Sequence, residues 1–175
     1  MKRFALLLVA LSAAPALAQD GAAASANPVM GSLRPAYAQI RDNLVATAEL
    51  VPETEYGFKP TPEVRSFGQL IGHVANAQFA ICAAALGERS PATQNYEQTT
   101  DKAGLVAALR ASNEVCDRAY AMTDEATLQM AQVFGRERTR LSALLMNTSH
   151  NWEHYGNLVT YMRLKGIVPP TSQGG

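Results

Sequence analysis

The chain has only three histidines, and two of them, His150 and His154, are four positions apart in the segment SHNWEHYGN (149–157). Each residue of an α-helix advances by about 100°, so side chains four positions apart lie on the same face, one turn from each other. That spacing lets two imidazoles bind one metal ion. The segment, if helical, therefore predicts a metal site.

The third histidine, His73, lies in an apolar stretch that is also expected to be helical. Its face carries mostly small apolar side chains: Leu70, Ala77, Ala80 and Ala84. All three histidines thus fall on inward-facing stripes, and we interpret them as one shared metal site. The alternative is a hydrogen-bonded network in the core. Its asparagine members would be Asn76, Asn147 and Asn157.

Three neutral imidazoles suit Zn²⁺ or Ni²⁺, and also Fe²⁺ or Cu²⁺. A site with only three protein ligands keeps a position open for water or substrate, which is typical of a catalytic metal rather than a closed structural zinc. Cys82 follows His73 by nine positions and would lie on the opposite side of its helix. We therefore do not expect Cys82 to be a ligand.

Three polar residues beside the histidine pair are candidates for supporting roles. Asn157 and Tyr161 fall within roughly 20° of His150 on the helical wheel, and Glu153 lies roughly 60° to one side. These side chains could orient a ligand or a substrate. The alternatives are a solvated charge for Glu153 and simple packing for Tyr161. The pattern identifies no catalytic residue.

The hydrophobic pattern predicts an all-α protein with four amphipathic helices. Helix caps and breakers place them at Leu33 to Ala48, Ser66 to Leu86, Asp101 to Tyr120, and Glu137 to Lys165. Pro35 fits only the first turn of its helix. No alternation typical of a β-strand is long enough to use. Residues 32–170 are therefore expected to form a four-helix bundle, and the connection between its second and third helices is longer than a tight hairpin needs.

The first eighteen residues, MKRFALLLVALSAAPALA, have a basic start, an apolar run and a small-x-small end. This pattern predicts a secretory signal peptide that is cleaved after Ala18, so the protein is expected in the periplasm or secreted. The apolar run is too short for a membrane anchor. Residues 19–31 are expected to be a flexible lead-in, and residues 171–175 a disordered tail.

The charge of the chain argues against nucleic acid as a partner. The chain has 15 basic and 15 acidic residues, and removing residues 1–18 leaves 13 and 15. No basic run or face is present that would follow a phosphate backbone. A small-molecule substrate suits an open metal site, and the sequence leaves open whether two copies form a homodimer.

Cys82 and Cys116 are the only cysteines. In an oxidising compartment an even pair of cysteines favours a disulfide, which would join two helices. The alternative is a pair of small, buried, apolar side chains.

Two segments of the chain resemble motifs of a known family. FKPTPEVRSFGQLIGHVANAQ (58–78) resembles the signature around the first histidine of the DinB/YfiT-like superfamily, and HNWEHYGNLVTYMRLKGIVPP (150–170) resembles its closing motif. The resemblance extends over nearly the whole chain after residue 18. Two positions depart from the family pattern. Asn157 stands where a glutamine is common, and Tyr155 stands where a second consecutive histidine is common.

The resemblance implies a four-helix bundle with a long crossover between the second and third helices. It also implies a divalent metal ion held by His73, His150 and His154. Relatives include thiol-dependent transferases and isomerases and some metal-dependent hydrolases, in which the metal lowers the pKa of a thiol or of water. The expected function is thus a metal-dependent hydrolase or transferase of unknown substrate. The alternative is a non-catalytic metal-binding or stress-related protein.

Overall fold

The computed structural model describes residues 26–173, and these residues are mostly helical. Five α-helices and one β-hairpin occur in the order α1 (Pro28–Leu50), α2 (Phe67–Leu86), α3 (Lys102–Tyr120), α4 (Asp124–Thr127), β1 (Met130–Val133), β2 (Arg136–Thr139) and α5 (Arg140–Leu164). Three single turns of 3₁₀ helix lie at Glu53–Glu55, Tyr96–Gln98 and Pro170–Ser172. The predicted helical class is confirmed, with a small antiparallel sheet added to it.

The helix that carries His73 begins and ends where its caps predict. The Ser66 hydroxyl accepts a hydrogen bond from the Gln69 backbone at 3.2 Å, and the Gln69 side chain accepts one from the Ser66 backbone at 2.9 Å. This reciprocal capping box satisfies two backbone donors at the start of α2. Gly87 ends the helix with φ at 77°, a left-handed conformation that glycine adopts without a Cβ clash.

The first helix begins earlier than predicted. It starts at Pro28 rather than Leu33, so Pro35 lies inside the helix and not in its first turn. The Asp124 carboxylate accepts hydrogen bonds from the backbone amides of Val29 and Met30 at 2.9 and 2.8 Å. This cap comes from a residue far along the chain, and a local sequence pattern therefore could not show it.

The sequence prediction missed the β-hairpin and started the last helix too early. Strands β1 and β2 pair antiparallel, and their two-residue turn is Phe134-Gly135, with φ at 51° and 73°. Residues 136–139 are strand, so α5 begins at Arg140 rather than Glu137. Each strand has four residues, too few for a reliable alternation. In β1, Ala131 and Val133 face inward and the other two residues are exposed.

Helix α2 lies between α3 and α5, and α1 packs against both α3 and α5. The Gln78 side chain donates to the Ser112 hydroxyl at 3.1 Å, and Cys82 lies beside Cys116. These pairs progress the same way along α2 and α3, so the two helices run in the same direction.

Cys82 and Cys116 lie at disulfide bonding distance, with their sulfur atoms 1.99 Å apart. Both side chains are fully buried between α2 and α3. The predicted pairing of these two cysteines is therefore what the structure contains, and it ties together the two helices on either side of residues 87–101.

The two ends of the chain were expected to lack regular structure. Thr171 and Ser172 instead lie in a 3₁₀ turn, where the Thr171 hydroxyl is 3.0 Å from that of the buried Tyr155. Residues 28–31 of the expected lead-in belong to α1. The predicted signal peptide, residues 1–18, lies outside the described residues.

Among the described residues, α2 is long and apolar enough to span a membrane by length and composition. Of the window that passes this test, 61% is buried inside the protein. Since a core helix passes the same test, α2 is weak evidence for a membrane span, and its burial agrees with a role in the core.

Candidate metal centre

The structure brings the three histidines together. His73 projects from the second turn of α2, and His150 and His154 project from adjacent turns of α5. The Nε2 atom of His150 lies 3.1 Å from that of His73 and 3.0 Å from that of His154. One ligand nitrogen from each ring lies within 4.8 Å of the other two. The cluster could therefore hold a metal ion.

The spacing of these nitrogens fits a common ion. Two nitrogens that are each about 2.0–2.1 Å from one metal, at coordination angles near 90–109°, are about 2.8–3.4 Å apart. The two measured separations fall in this range. The Nδ1 atom of His73 already contacts a carboxylate, so its Nε2 is the atom left to bind an ion.

Burial keeps two of the rings neutral. Loss of hydration is the main cause that lowers the pKa of His150 to about 4, and charge repulsion from the neighbouring His154 and His73 contributes to the same shift. Burial also lowers the pKa of His154 to about 4, with smaller contributions from His73 and Arg65. At neutral pH both imidazoles are therefore unprotonated, which is the form that binds metals.

The carboxylate that contacts His73 belongs to Glu97, a residue that the sequence analysis missed. Its Oε1 atom lies 2.6 Å from His73 Nδ1, and its Oε2 atom accepts a hydrogen bond from Arg65 Nε at 2.9 Å. Burial alone would raise the pKa of Glu97, but the hydrogen bonds from Arg65 and His73 lower it. The carboxylate thus stays ionised and orients the His73 ring, as metal-binding histidines commonly require.

A set of close contacts fixes Glu97 in place. The Asn95 side chain accepts a hydrogen bond from the Glu97 amide at 3.1 Å, and Asn76 donates to Asn95 at 2.6 Å. Asn76 also accepts a hydrogen bond from the Tyr96 amide at 3.0 Å. At Gly72, an added Cβ would lie 2.3 Å from the Tyr96 carbonyl oxygen, so only glycine permits this approach.

Within the described residues, none of the three predicted supporting residues has a hydrogen bond or ring contact with a histidine. Glu153 and Asn157 are exposed on α5, and Glu153 acts on His150 only through its charge. The Tyr161 hydroxyl donates to the Arg65 carbonyl oxygen at 3.0 Å. Tyr161 therefore anchors the residue that binds Glu97, and its place in the site is indirect.

None of the three asparagines proposed for the alternative network has a direct hydrogen bond to a histidine in the structure, although Asn76 is linked to His73 through Asn95 and Glu97. Asn147 donates to the Tyr120 hydroxyl at 3.2 Å, away from the cluster. Asn76 holds the 95–97 segment, and Asn157 is exposed. Within residues 26–173 the buried Nδ1 atoms of His150 and His154 have no hydrogen-bond partner. The histidines are thus not explained as members of a satisfied polar core.

A cleft of about 620 Å³ opens beside the cluster, with His73 and His150 in its wall. Its volume lies in the range of small-molecule sites. The rest of the lining is mostly apolar side chains and amides: Asn76, Ala77, Ala80, Ile81, Ala92, Gln94, Asn95, Glu97, Phe134 and Met146. The histidine cluster therefore faces a space that a substrate could enter.

The model of the DinB superfamily matches residues 36–158, which include all three histidines and Glu97. The chain belongs to the DinB superfamily. No curated protein matches it. The family motifs noted in the sequence thus identified the family correctly.

Solved structures share the fold of this DinB superfamily member. A DinB-like protein from Bacillus cereus is similar with a TM-score of 0.70 and 17% identity, covering 80% of this chain and 95% of the other. A DinB-like protein from Bacillus subtilis has a TM-score of 0.62 and 20% identity, covering 82% of this chain and 99% of the other. A mycothiol-dependent maleylpyruvate isomerase gives 0.60 and 20%, covering 74% of this chain and 60% of the isomerase. At these identities the likeness concerns the fold alone.

Proposed function

We propose that this protein binds one divalent metal ion through His73, His150 and His154 and uses it as a hydrolase or transferase. The observation that carries the proposal is the convergence of three ring nitrogens at the wall of a 620 Å³ cleft. Zn²⁺ and Ni²⁺ are the first candidates, followed by Fe²⁺ and Cu²⁺, because all of them accept imidazole ligands.

The surroundings of the cluster support a catalytic site over a closed structural one. A structural zinc has four protein ligands, whereas this cluster offers three. The two cysteines of the chain are paired with each other and lie elsewhere. A bound ion would supply positive charge that polarises a substrate or lowers the pKa of a thiol or water. The chain's own contribution is to hold His73 through Glu97 and to keep His150 and His154 neutral.

Elemental analysis tests the metal site. The untagged protein, purified without chelators, should contain about one metal per chain, and His150→Ala should contain none because two imidazoles make a weak site. Glu153→Ala, also on α5 but exposed, is the matched control and should keep its metal. A His150→Ala protein that retains stoichiometric metal would rule the assignment out.

The alternative, a non-catalytic metal-binding or stress-related protein, predicts a different response to small ligands. An open catalytic site exchanges its non-protein ligand, so imidazole or azide should change the spectrum of the Co²⁺-loaded protein. A spectrum that no small ligand alters would favour the non-catalytic function.

We further propose that the protein works outside the cytoplasm, in the periplasm or secreted. The pairing of Cys82 with Cys116 supports this, because disulfides persist in oxidising compartments. Cell fractionation with N-terminal sequencing is the test. A mature chain that begins at Gln19 is expected, and a full-length cytoplasmic protein would contradict the proposal.

The finer architecture that we propose is a four-helix bundle of α1, α2, α3 and α5 with a long crossover between α2 and α3. The shared direction of α2 and α3 supports it, because residues 87–101 must then pass back along the helices. This crossover carries Glu97 to His73, so the topology itself would serve the site.

A further inference from the structure

The turn of the β-hairpin contains an unfavourable residue. Phe134 occupies the first turn position with φ at 51°, and Gly135 occupies the second. Two-residue hairpin turns with both φ values positive favour Asn-Gly or Asp-Gly, and a bulky side chain is rare there. The phenyl ring is also 65% exposed. The chain thus carries both backbone strain and an exposed aromatic ring at one position.

The ring of Phe134 is not isolated on the surface, because it lines the cleft beside His73 and His150. Strained residues persist where the surrounding structure holds them, and they cluster at ligand sites. Strands β1 and β2 pack on α5, the helix of His150, through contacts that include Arg138 with Met146. The hairpin therefore presents Phe134 as the outer wall of the cleft.

The inner wall of the cleft is apolar and lacks cations. Ala77, Ala80 and Ile81 line it on α2, with Ala92 opposite and Met146 on α5. No lysine or arginine is among the lining residues. The one carboxylate, Glu97, is already bound by Arg65 and His73. Apart from the proposed metal ion, a phosphate or carboxylate group would therefore find no positively charged side chain in this lining.

The lining amides are largely occupied in holding the 95–97 segment. Asn76 bonds both Asn95 and the Tyr96 amide, and Gln94 donates to Thr99 at 3.1 Å. Their hydrogen-bonding capacity is thus mostly used within the protein. Burial of apolar surface is the main source of affinity that the cleft can offer.

We propose that the cleft is the specificity subsite for an uncharged apolar group of the substrate, aromatic or branched aliphatic, and that Phe134 is the residue that selects it. This inference rests on the proposed function, since the group would lie next to a bound metal ion. A substrate of this class would bind with its reacting group at the histidines and its apolar part under the Phe134 ring.

The test uses the Co²⁺-loaded protein and two probes, imidazole and 4-phenylimidazole. Both bind the metal through the same ring, so a difference in affinity reports the cleft. Titrations are followed by the visible absorption of Co²⁺. Phenylimidazole should bind about tenfold more tightly than imidazole, because the phenyl group is buried in the cleft.

Two matched variants isolate the role of Phe134. Phe134→Asn introduces a residue that tolerates the left-handed turn conformation, and it removes the aromatic side chain from the wall of the cleft. Its thermal stability should be equal or higher, its affinity for imidazole unchanged, and its preference for phenylimidazole mostly lost. Met130→Asn removes another exposed apolar side chain of the hairpin, one that does not line the cleft, and should keep the preference.

The outcomes separate this inference from the proposal on which it rests. If imidazole binds but phenylimidazole gains nothing, the apolar subsite is wrong while the metal site stands. If the preference survives in Phe134→Asn, the assignment of Phe134 is overturned. If Co²⁺ does not bind, or if imidazole leaves its spectrum unchanged, the open metal site itself fails.

Discussion

Glu97 Oε1 lies 2.6 Å from His73 Nδ1, and this contact joins the segment between α2 and α3 to the histidine cluster. The carboxylate fixes which nitrogen of His73 carries the proton and how the ring is turned. Glu97 lies far along the chain from the closing motif of the family, and it sets the geometry of His73, the first histidine of the cluster.

Replacing this carboxylate should weaken the metal site without removing a ligand. Glu97→Gln should lower metal affinity by about tenfold to a hundredfold, because the amide orients His73 less strongly and lacks the negative charge. A competition titration against a chromophoric chelator measures the affinity. Glu153→Gln is the control and should be unchanged. Equal affinities in both variants would show that Glu97 has no part in metal binding.

Gly72→Ala should damage both the fold and the site. The added Cβ would lie 2.3 Å from the Tyr96 carbonyl oxygen, so the turn that carries Glu97 must move away from α2. We expect a lower melting temperature and a lower metal affinity. Gly156→Ala on α5, where a Cβ meets nothing within 4 Å, is the control. At position 156 alanine should leave the free energy of unfolding unchanged or raise it by about 0.5–1 kcal/mol. A wild-type metal affinity in Gly72→Ala would contradict the role of this close approach.

The cysteine pair should contribute to stability and not to metal binding. Its two residues are 34 positions apart, and the double variant Cys82→Ala/Cys116→Ala should lose roughly 2–4 kcal/mol of unfolding free energy. Denaturant titration measures the loss, and elemental analysis should show unchanged metal. Wild-type protein treated with a reductant is the comparison. The same unfolding free energy in the variant and the oxidised wild type would mean that no bridge forms.

The chelator-treated protein should lose stability in mild acid. In the folded state burial lowers the pKa of His150 and of His154 from 6.5 to about 4. Between these pH values the unfolded chain binds protons that the folded chain does not. The unfolding free energy therefore has its full value above about pH 6.5 and falls as the pH approaches about 4. Melting temperatures across this range test the prediction. In His150→Gln/His154→Gln the dependence should shrink, and an unchanged dependence would place its origin in other groups.

The histidine cluster could be predicted from the sequence because two of its members lie one helix turn apart. His150 and His154 are neighbours by periodicity alone, and His73 lies in a helix whose capping box at Ser66 is local. Such features depend on residues within a few positions of one another. The mostly helical class and the family followed from the same kind of local information.

The remaining parts of the site depend on contacts between distant residues. Glu97 lies 24 positions from His73 in a polar segment with no periodicity, and the family motifs quoted from the sequence do not include it. Only the glycine at position 72, one residue before His73, hinted at a close approach. The hairpin was missed because its two strands have four residues each, and the start of α1 depends on Asp124.

The distance along the chain between His73 and His150 has a consequence for the folding and degradation of the protein. The two residues are 77 positions apart, and among the described residues α5 is the last long helix in the chain. Contacts this distant carry a large loop-closure cost, so the three-ligand site is complete only when α2 and α5 have packed together. An ion that binds only the finished fold adds its binding free energy to the stability of the whole domain. Metal content would therefore report which molecules have completed folding, and a chain cut short before α5 would stay metal-free and exposed to proteases.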